Sequence, residues 1–174
     1  MDAQLLRAMQ HRCARVAIGG SSMRGAGSTG VVAAARTYLN DMPLRPFGTP
    51  SRSTFLARLD HETNDLTRGL PKRARYWGLA RKGLNIFLRD SLYNAYLREA
   101  YGLAAAEDFF EVPLDSISGN HLVRASRGAL PRWHTVRGLD TRTSADYQRV
   151  AATLAAERGI ARVHLDAVWW GERA

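Results

Sequence analysis

Apolar residues recur with the period of an α-helix through the middle of the chain, residues 75–122. Leu84 and Leu88 fall on one face, and further apolar side chains occupy the opposite face, so the pattern predicts a helix buried on most sides. The helix is expected to begin directly after a short turn over residues 76–80. Gly102 is placed to end it, because glycine commonly follows the last helical residue.

Helical periodicity also appears on both sides of this stretch. A glycine-rich loop, residues 19–30, and a proline-rich connection, residues 43–53, separate the first helical segments. Thr143 with Asp146 makes a capping pattern near the C-terminal end. No segment alternates as a strand would, so the expected fold class is all-α, in a single domain over residues 1–174 with one core. The further helices are expected over residues 3–17, 31–40, 54–69, 117–124, 144–158 and 161–170.

Charge narrows the class of partner. The 174 residues carry 25 basic and 16 acidic side chains, a net charge of +9, and a pI near 10.5. This excess of positive charge favours a polyanionic partner, and nucleic acid is favoured over a membrane surface. It also fits a soluble basic protein that has no polyanionic partner. A single cysteine, Cys13, excludes an intramolecular disulfide framework and a four-cysteine iron–sulfur site, and indicates a reducing compartment. No apolar stretch reaches the length of a membrane span or a signal sequence, so we expect a cytoplasmic protein. We also expect it to be a monomer.

Two short motifs resemble those of the helix-hairpin-helix DNA glycosylases. Residues 77–85, Trp-Gly-Leu-Ala-Arg-Lys-Gly-Leu-Asn, resemble the hairpin and the start of the catalytic helix, and residues 113–117, Pro-Leu-Asp-Ser-Ile, resemble the family's later aspartate segment. Ala80 stands where the second hairpin glycine is usual, and Trp77 where proline is usual. The 33 positions from the lysine to the aspartate exceed the common spacing and are similar to that of archaeal 8-oxoguanine glycosylases.

The resemblance implies a covalent mechanism that needs no cofactor and no metal. It places Lys82 as the amine that attacks C1′ of the deoxyribose, with the target base flipped out of the duplex. Asp115 is expected to stabilise the developing positive charge and to assist proton transfer. Burial near Arg81 and a helix N-terminus is expected to favour the neutral amine. The resulting Schiff base would permit strand cleavage by β-elimination, an AP-lyase activity.

The same resemblance predicts where DNA is held. A hairpin between two helices presents backbone N–H groups and a positive helix dipole to a phosphate, and this contact is independent of sequence. A basic run precedes the hairpin and would add phosphate contacts. The expected DNA-binding residues are Gly78, Ala80, Arg81, Lys72, Arg73 and Arg75.

The resemblance implies that the glycine-rich loop lines the base pocket; the alternative is a flexible connector between helices. Apart from Met23 and Arg24 it offers little side-chain volume, so the space would suit an enlarged base. The expected pocket residues are Ser21, Ser22, Arg24 and Trp133. This favours a bulky modification as found in some phage DNA, and hence a defence role; repair of oxidised purines is the close alternative.

Other interpretations of these residues stay open. An isolated Lys82 would be a surface lysine, Asp115 alone a helix N-cap, and Trp133 a core side chain. His164 and Asp166 are only two positions apart, so they form no metal pair on a helix and are expected to be structural. The alternative functions are a non-catalytic helix-hairpin-helix module that binds the DNA backbone, and a basic helical interaction protein that binds no nucleic acid.

Overall fold

The computed structural model describes residues 2–23, 29–133 and 135–171. Over these ranges the chain forms eight α-helices and no strand, which confirms the all-α fold class. Five short 3₁₀ segments lie between or beside the helices. None of the described helices combines the length and apolar character that a bilayer crossing requires. The helices are α1 (Ala3–Ala17), α2 (Val31–Asp41), α3 (Arg52–Gly69), α4 (Trp77–Tyr93), α5 (Ala95–Tyr101), α6 (Ser116–Ala125), α7 (Thr141–Glu157) and α8 (Leu165–Gly171).

The prediction of one long central helix is wrong in one respect, because the chain leaves helical geometry at Asn94. This residue is extended, with φ −78° and ψ 113°, and its side chain accepts a hydrogen bond from the N–H of Leu97 at 3.1 Å. Asn94 therefore ends α4 and caps α5, and Asn is among the favoured N-cap residues. Gly102 then ends α5 with φ +66°, a conformation that glycine adopts without strain.

The turn predicted over residues 76–80 is also wrong, because helix α4 already begins at Trp77. The connection from α3 to α4 lies earlier, over residues 70–76, and contains a 3₁₀ segment at Lys72–Ala74. Gly78 serves a packing contact: a Cβ there would stand 2.3 Å from the carbonyl oxygen of Val136. The glycine lets the first turn of α4 contact the backbone of a distant segment directly.

The C-terminal helices begin differently from the expected pattern. Asp140, and not Thr143, caps α7, since its carboxylate accepts from the N–H of Thr143 at 2.7 Å. The segment before α8 forms a 3₁₀ turn over Arg162–His164, so the last α-helix starts four residues later than expected, at Leu165.

Buried side chains form two clusters where chain length suggested one core. The first cluster gathers helices α1 to α5, with Phe47, Phe55 and Phe87 among its largest members. The second gathers α6 to α8, around Tyr147 and Trp169. Helix α4 belongs to both, because most of it packs in the first cluster while its first residue packs against the second. A cleft opens where the two clusters meet.

Candidate active site

The cleft has a volume of about 810 Å³ and is lined from both clusters. The end of α1, one face of α4 and Val136 contribute from the side of the first cluster. The start of α6, Trp133 and both ends of α8 contribute from the side of the second. Lys82, Ile86 and Arg89 of α4 line it because positions separated by three or four residues share a helix face.

The cleft brings Lys82 and Asp115 together. The Nζ atom of Lys82 lies 3.9 Å from the Oδ2 atom of Asp115, and their side chains are 11% and 26% exposed. The structure therefore brings the two predicted catalytic side chains together in one cleft. Their chemical roles stay predictions.

Asp115 is held in place as the N-cap of α6. Its Oδ1 atom accepts hydrogen bonds from the N–H groups of Ile117 at 2.8 Å and Ser118 at 3.1 Å. The hydroxyl of Ser118 in turn accepts from the N–H of Asp115 at 2.8 Å and donates to the carbonyl of Pro113 at 2.8 Å. This reciprocal capping box uses one carboxylate oxygen and leaves Oδ2 to face Lys82.

A second carboxylate, Asp166, lies in the same cleft. It is 6% exposed and forms an ion pair with Arg89, which also donates to Asp90. Burial raises the pKa of Asp166, the positive charge of Arg89 opposes that rise, and the negative charge of Asp115 adds to it. Together with Arg137, the site therefore places two carboxylates, a lysine and two arginines around one cavity.

The predicted base-pocket residues reach this cleft as far as the structure describes them. Ser21, Ser22 and Trp133 all line it, whereas Arg24 lies outside the described residues. The hydroxyl of Ser22 accepts from the N–H of Gly19 at 2.8 Å, an interaction that closes the turn after α1. Trp133 is half-buried against the second cluster, so it is both a core side chain and part of the cleft wall.

The expected phosphate contact of Arg81 is wrong, because this side chain is only 5% exposed. Glu111 accepts from its guanidinium at 2.8 and 3.0 Å, and Asp60 accepts at 2.8 Å. Adjacent residues point to different sides of a helix, so Arg81 turns into the core while its neighbour Lys82 faces the cleft. The positive charge of Arg81 is balanced by the negative charge of Glu111. Arg81 therefore gives no reason to expect that Lys82 is neutral.

Gly78 and Ala80, expected to bind phosphate through a hairpin, are also buried within the first turn of α4. Their surroundings are protein, since residues 136–139 cover Gly78. Lys72, Arg73 and Arg75 are exposed, as DNA contact would require. Arg75 also donates from Nε to the carbonyl of Leu70 at 3.0 Å.

Several residues that line the cleft were missed by sequence reasoning as site residues. Ile86 and Arg89 lie four and seven positions after Lys82, and Trp170 lies four positions after Asp166. Extending the helical spacing from each candidate would have found them. Arg137 was missed because it lies in a short 3₁₀ segment, Val136–Gly138, outside the α-helices that carry the candidates, where α-helical spacing gives no such signal. Among the described residues, no group of three or more His, Cys, Asp and Glu side chains could hold a metal ion.

Comparisons of the chain with protein-family models, with curated proteins and with solved structures find no match. The functional argument therefore depends on the geometry of the cleft.

Proposed function

We propose that this protein is a DNA glycosylase with AP-lyase activity that excises a flipped-out modified base. The observation that carries the proposal is the placement of Lys82 beside Asp115, 3.9 Å apart, in a cleft of about 810 Å³. The Lys82 side chain is only 11% exposed, and the adjacent carboxylate can receive or return a proton of its amine.

In the proposed reaction the lysine Nζ lone pair forms a bond to C1′ of the deoxyribose. The C1′–N glycosidic bond breaks, its electron pair leaves with the base, and the base takes up a proton. Opening of the sugar ring gives an iminium between Lys82 and C1′. Loss of a proton from C2′ then expels the 3′ phosphate by β-elimination. The carboxylate of Asp115 stabilises the positive charge that develops on the sugar.

The shape of the cleft supports an enlarged base as the substrate. Its volume lies in the upper part of the range of about 300–1,000 Å³ typical of ligand pockets. Ile86 and Trp170 form an apolar part of the cleft wall, and Ser21 offers a hydroxyl close to solvent. This supports a base with a bulky, polar modification, hence a role against phage with hypermodified DNA. Excision of an oxidised purine is the alternative.

Covalent trapping with borohydride tests the proposal sharply, because the chain contains only two lysines, Lys72 and Lys82. Borohydride reduces an iminium to a stable amine, so the wild-type protein should become attached to DNA that contains an abasic site or a substrate base. Lys82→Ala should abolish the adduct. Lys72→Ala is the matched control at saturating protein, where its expected phosphate contact does not limit complex formation, since it removes an exposed amine outside the cleft.

Peptide mapping of the adduct separates attachment at Lys82 from attachment at the amino terminus. Adduct formation at wild-type levels by the Lys82→Ala variant would contradict the assignment. DNA binding without any adduct, in wild-type protein, would favour the non-catalytic backbone-binding module. Release of bases from hypermodified phage DNA, compared with an 8-oxoguanine duplex, decides between the two substrate classes.

A further inference from the structure

A second basic segment reaches the cleft at Arg137. Between residues 116 and 139 the sequence contains four arginines and no acidic residue. All four are exposed: Arg124, Arg127, Arg132 and Arg137. Three of them, Arg124, Arg127 and Arg132, form no salt bridge with any residue in the described parts of the chain.

Arg132 lies between two residues that are fixed to the fold. The hydroxyl of Tyr147 donates to the carbonyl of Pro131 at 2.6 Å. The Trp133 ring meets the Tyr147 ring edge-on, with centroids 5.8 Å apart. It also packs against Gly119, where a Cβ would lie 3.1 Å from the indole. Because both of its neighbours are anchored, Arg132 extends from a preorganised backbone.

The position of the segment joins it to the basic run before α4. Thr135, Val136 and Arg137 line the cleft that contains Lys82. The guanidinium of Arg137 lies over the ring of Tyr76, 5.1 Å from its centroid, directly after Arg75 in the chain. Two basic segments that are about sixty positions apart in sequence therefore meet beside the start of α4.

We infer that Arg132 and Arg137 bind backbone phosphates of the DNA strand that enters the cleft. Arginine suits this role because its planar fork pairs with phosphate oxygens and its charge persists at all physiological pH values. The phosphate-binding surface is then formed by Lys72, Arg73 and Arg75 together with Arg132 and Arg137, and not by a hairpin. This inference rests on the proposed function for its ligand, DNA.

The salt dependence of DNA binding tests the inference. The probe is a duplex that contains a stable abasic-site analogue, and its affinity is measured by fluorescence anisotropy between about 50 and 200 mM salt. Arg132→Gln/Arg137→Gln should lower the slope of log K against log salt by about two units, since each phosphate contact contributes about 0.9. The corresponding loss of affinity at ~0.1 M salt is about 60-fold, from roughly 8-fold for each contact.

Two comparison variants make the result specific. Arg45→Gln/Arg158→Gln removes the same charge from exposed positions that do not line the cleft, and its slope should stay close to that of the wild type. Arg132→Lys/Arg137→Lys keeps the charge and should recover most of the slope. An unchanged slope in the glutamine variant would overturn the inference, as would equal losses in the glutamine variant and the Arg45/Arg158 control.

The outcome is separable from that of the proposed function. Borohydride trapping is measured at saturating protein, where a weaker phosphate contact no longer limits complex formation. A reduced slope with no trapping in the wild type would support the binding surface and reject the glycosylase. Trapping with an unchanged slope would support the glycosylase and reject the binding surface. Binding of the wild type to anionic phospholipid vesicles, but not to duplex DNA, would overturn the inference in favour of a membrane.

Discussion

Replacing Glu111 by Gln should destabilise the fold strongly, although the change is nearly isosteric. Glu111 is 7% exposed and accepts two hydrogen bonds from Arg81 and one from Asn85 at 3.1 Å. The amide would keep part of this geometry but remove the negative charge opposite a buried guanidinium. Only Asp60, whose side chain is 59% exposed, would then face Arg81 as a charged partner.

The expected magnitude follows from the burial of the pair. Removing one partner of a buried ion pair typically costs about 3–5 kcal/mol, because the remaining charge stays desolvated. That is a large fraction of the total stability of roughly 5–15 kcal/mol of an average domain. Replacing both partners, as Arg81→Met/Glu111→Leu, should cost far less, since it removes the charges together.

Urea unfolding followed by circular dichroism measures these differences, with Glu157→Gln, at an exposed position, as the matched control. A loss below about 1 kcal/mol for Glu111→Gln, within the range of an exposed ion pair, would refute the argument. Arg81→Met protein that remains folded should bind DNA with the wild-type salt slope, which separates a structural arginine from a phosphate contact.

The same pair predicts a pH dependence of stability. Burial alone would raise the pKa of Glu111, but the charge and hydrogen bonds of Arg81 hold it below its usual value of 4.5. The folded state therefore binds the proton more weakly than the unfolded state. The stabilisation is complete above pH 4.5 and is lost as the pH falls through the lower folded pKa. Glu111→Gln should lack this part of the acid unfolding profile.

Three further substitutions or reactions test other features. Asp115→Asn should retain the helix cap, because Asn is an equally good N-cap, and should change stability by less than about 1 kcal/mol. It should lower the single-turnover excision rate about 10²-fold or more, because the charge is lost. A wild-type rate would contradict the charge-stabilising role. Gly78→Ala should lower stability by about 2 kcal/mol or more in urea unfolding, because its Cβ would collide with the backbone of Val136; a neutral effect would show that this contact is loose. Cys13 should react slowly with iodoacetamide at pH 8, because burial, and then the charge of Asp90, raises its pKa to about 11; rapid alkylation of the folded protein would contradict its burial.

The bounds of a helix could be predicted well from the sequence where its own apolar pattern sets them. The helices α1, α2, α3 and α6 lie within two residues of their expected ends. The break at Asn94 could not be predicted in this way, because both halves carry the same apolar pattern and only the side-chain cap to Leu97 separates them.

The candidate site was predictable in part. The pairing of Lys82 with Asp115 followed from resemblance to two short motifs, and the structure places the two side chains in one cleft. The burial of Arg81 was hidden because its partner Glu111 is 30 positions away and carries no local signature. The role of Gly78 was misjudged for a related reason: a glycine required by a distant backbone looks the same in sequence as one required by a turn.

The sharing of α4 between the two clusters has a consequence for the distance between the two candidate catalytic groups. Lys82 lies on α4, which packs mainly in the first cluster, and Asp115 caps α6, which packs in the second, so their 3.9 Å separation depends on how the two clusters pack together. Gly78 lets the start of α4 lie against the backbone of Val136 and Leu139. A larger side chain at Gly78 would therefore change the distance between amine and carboxylate without touching either of them.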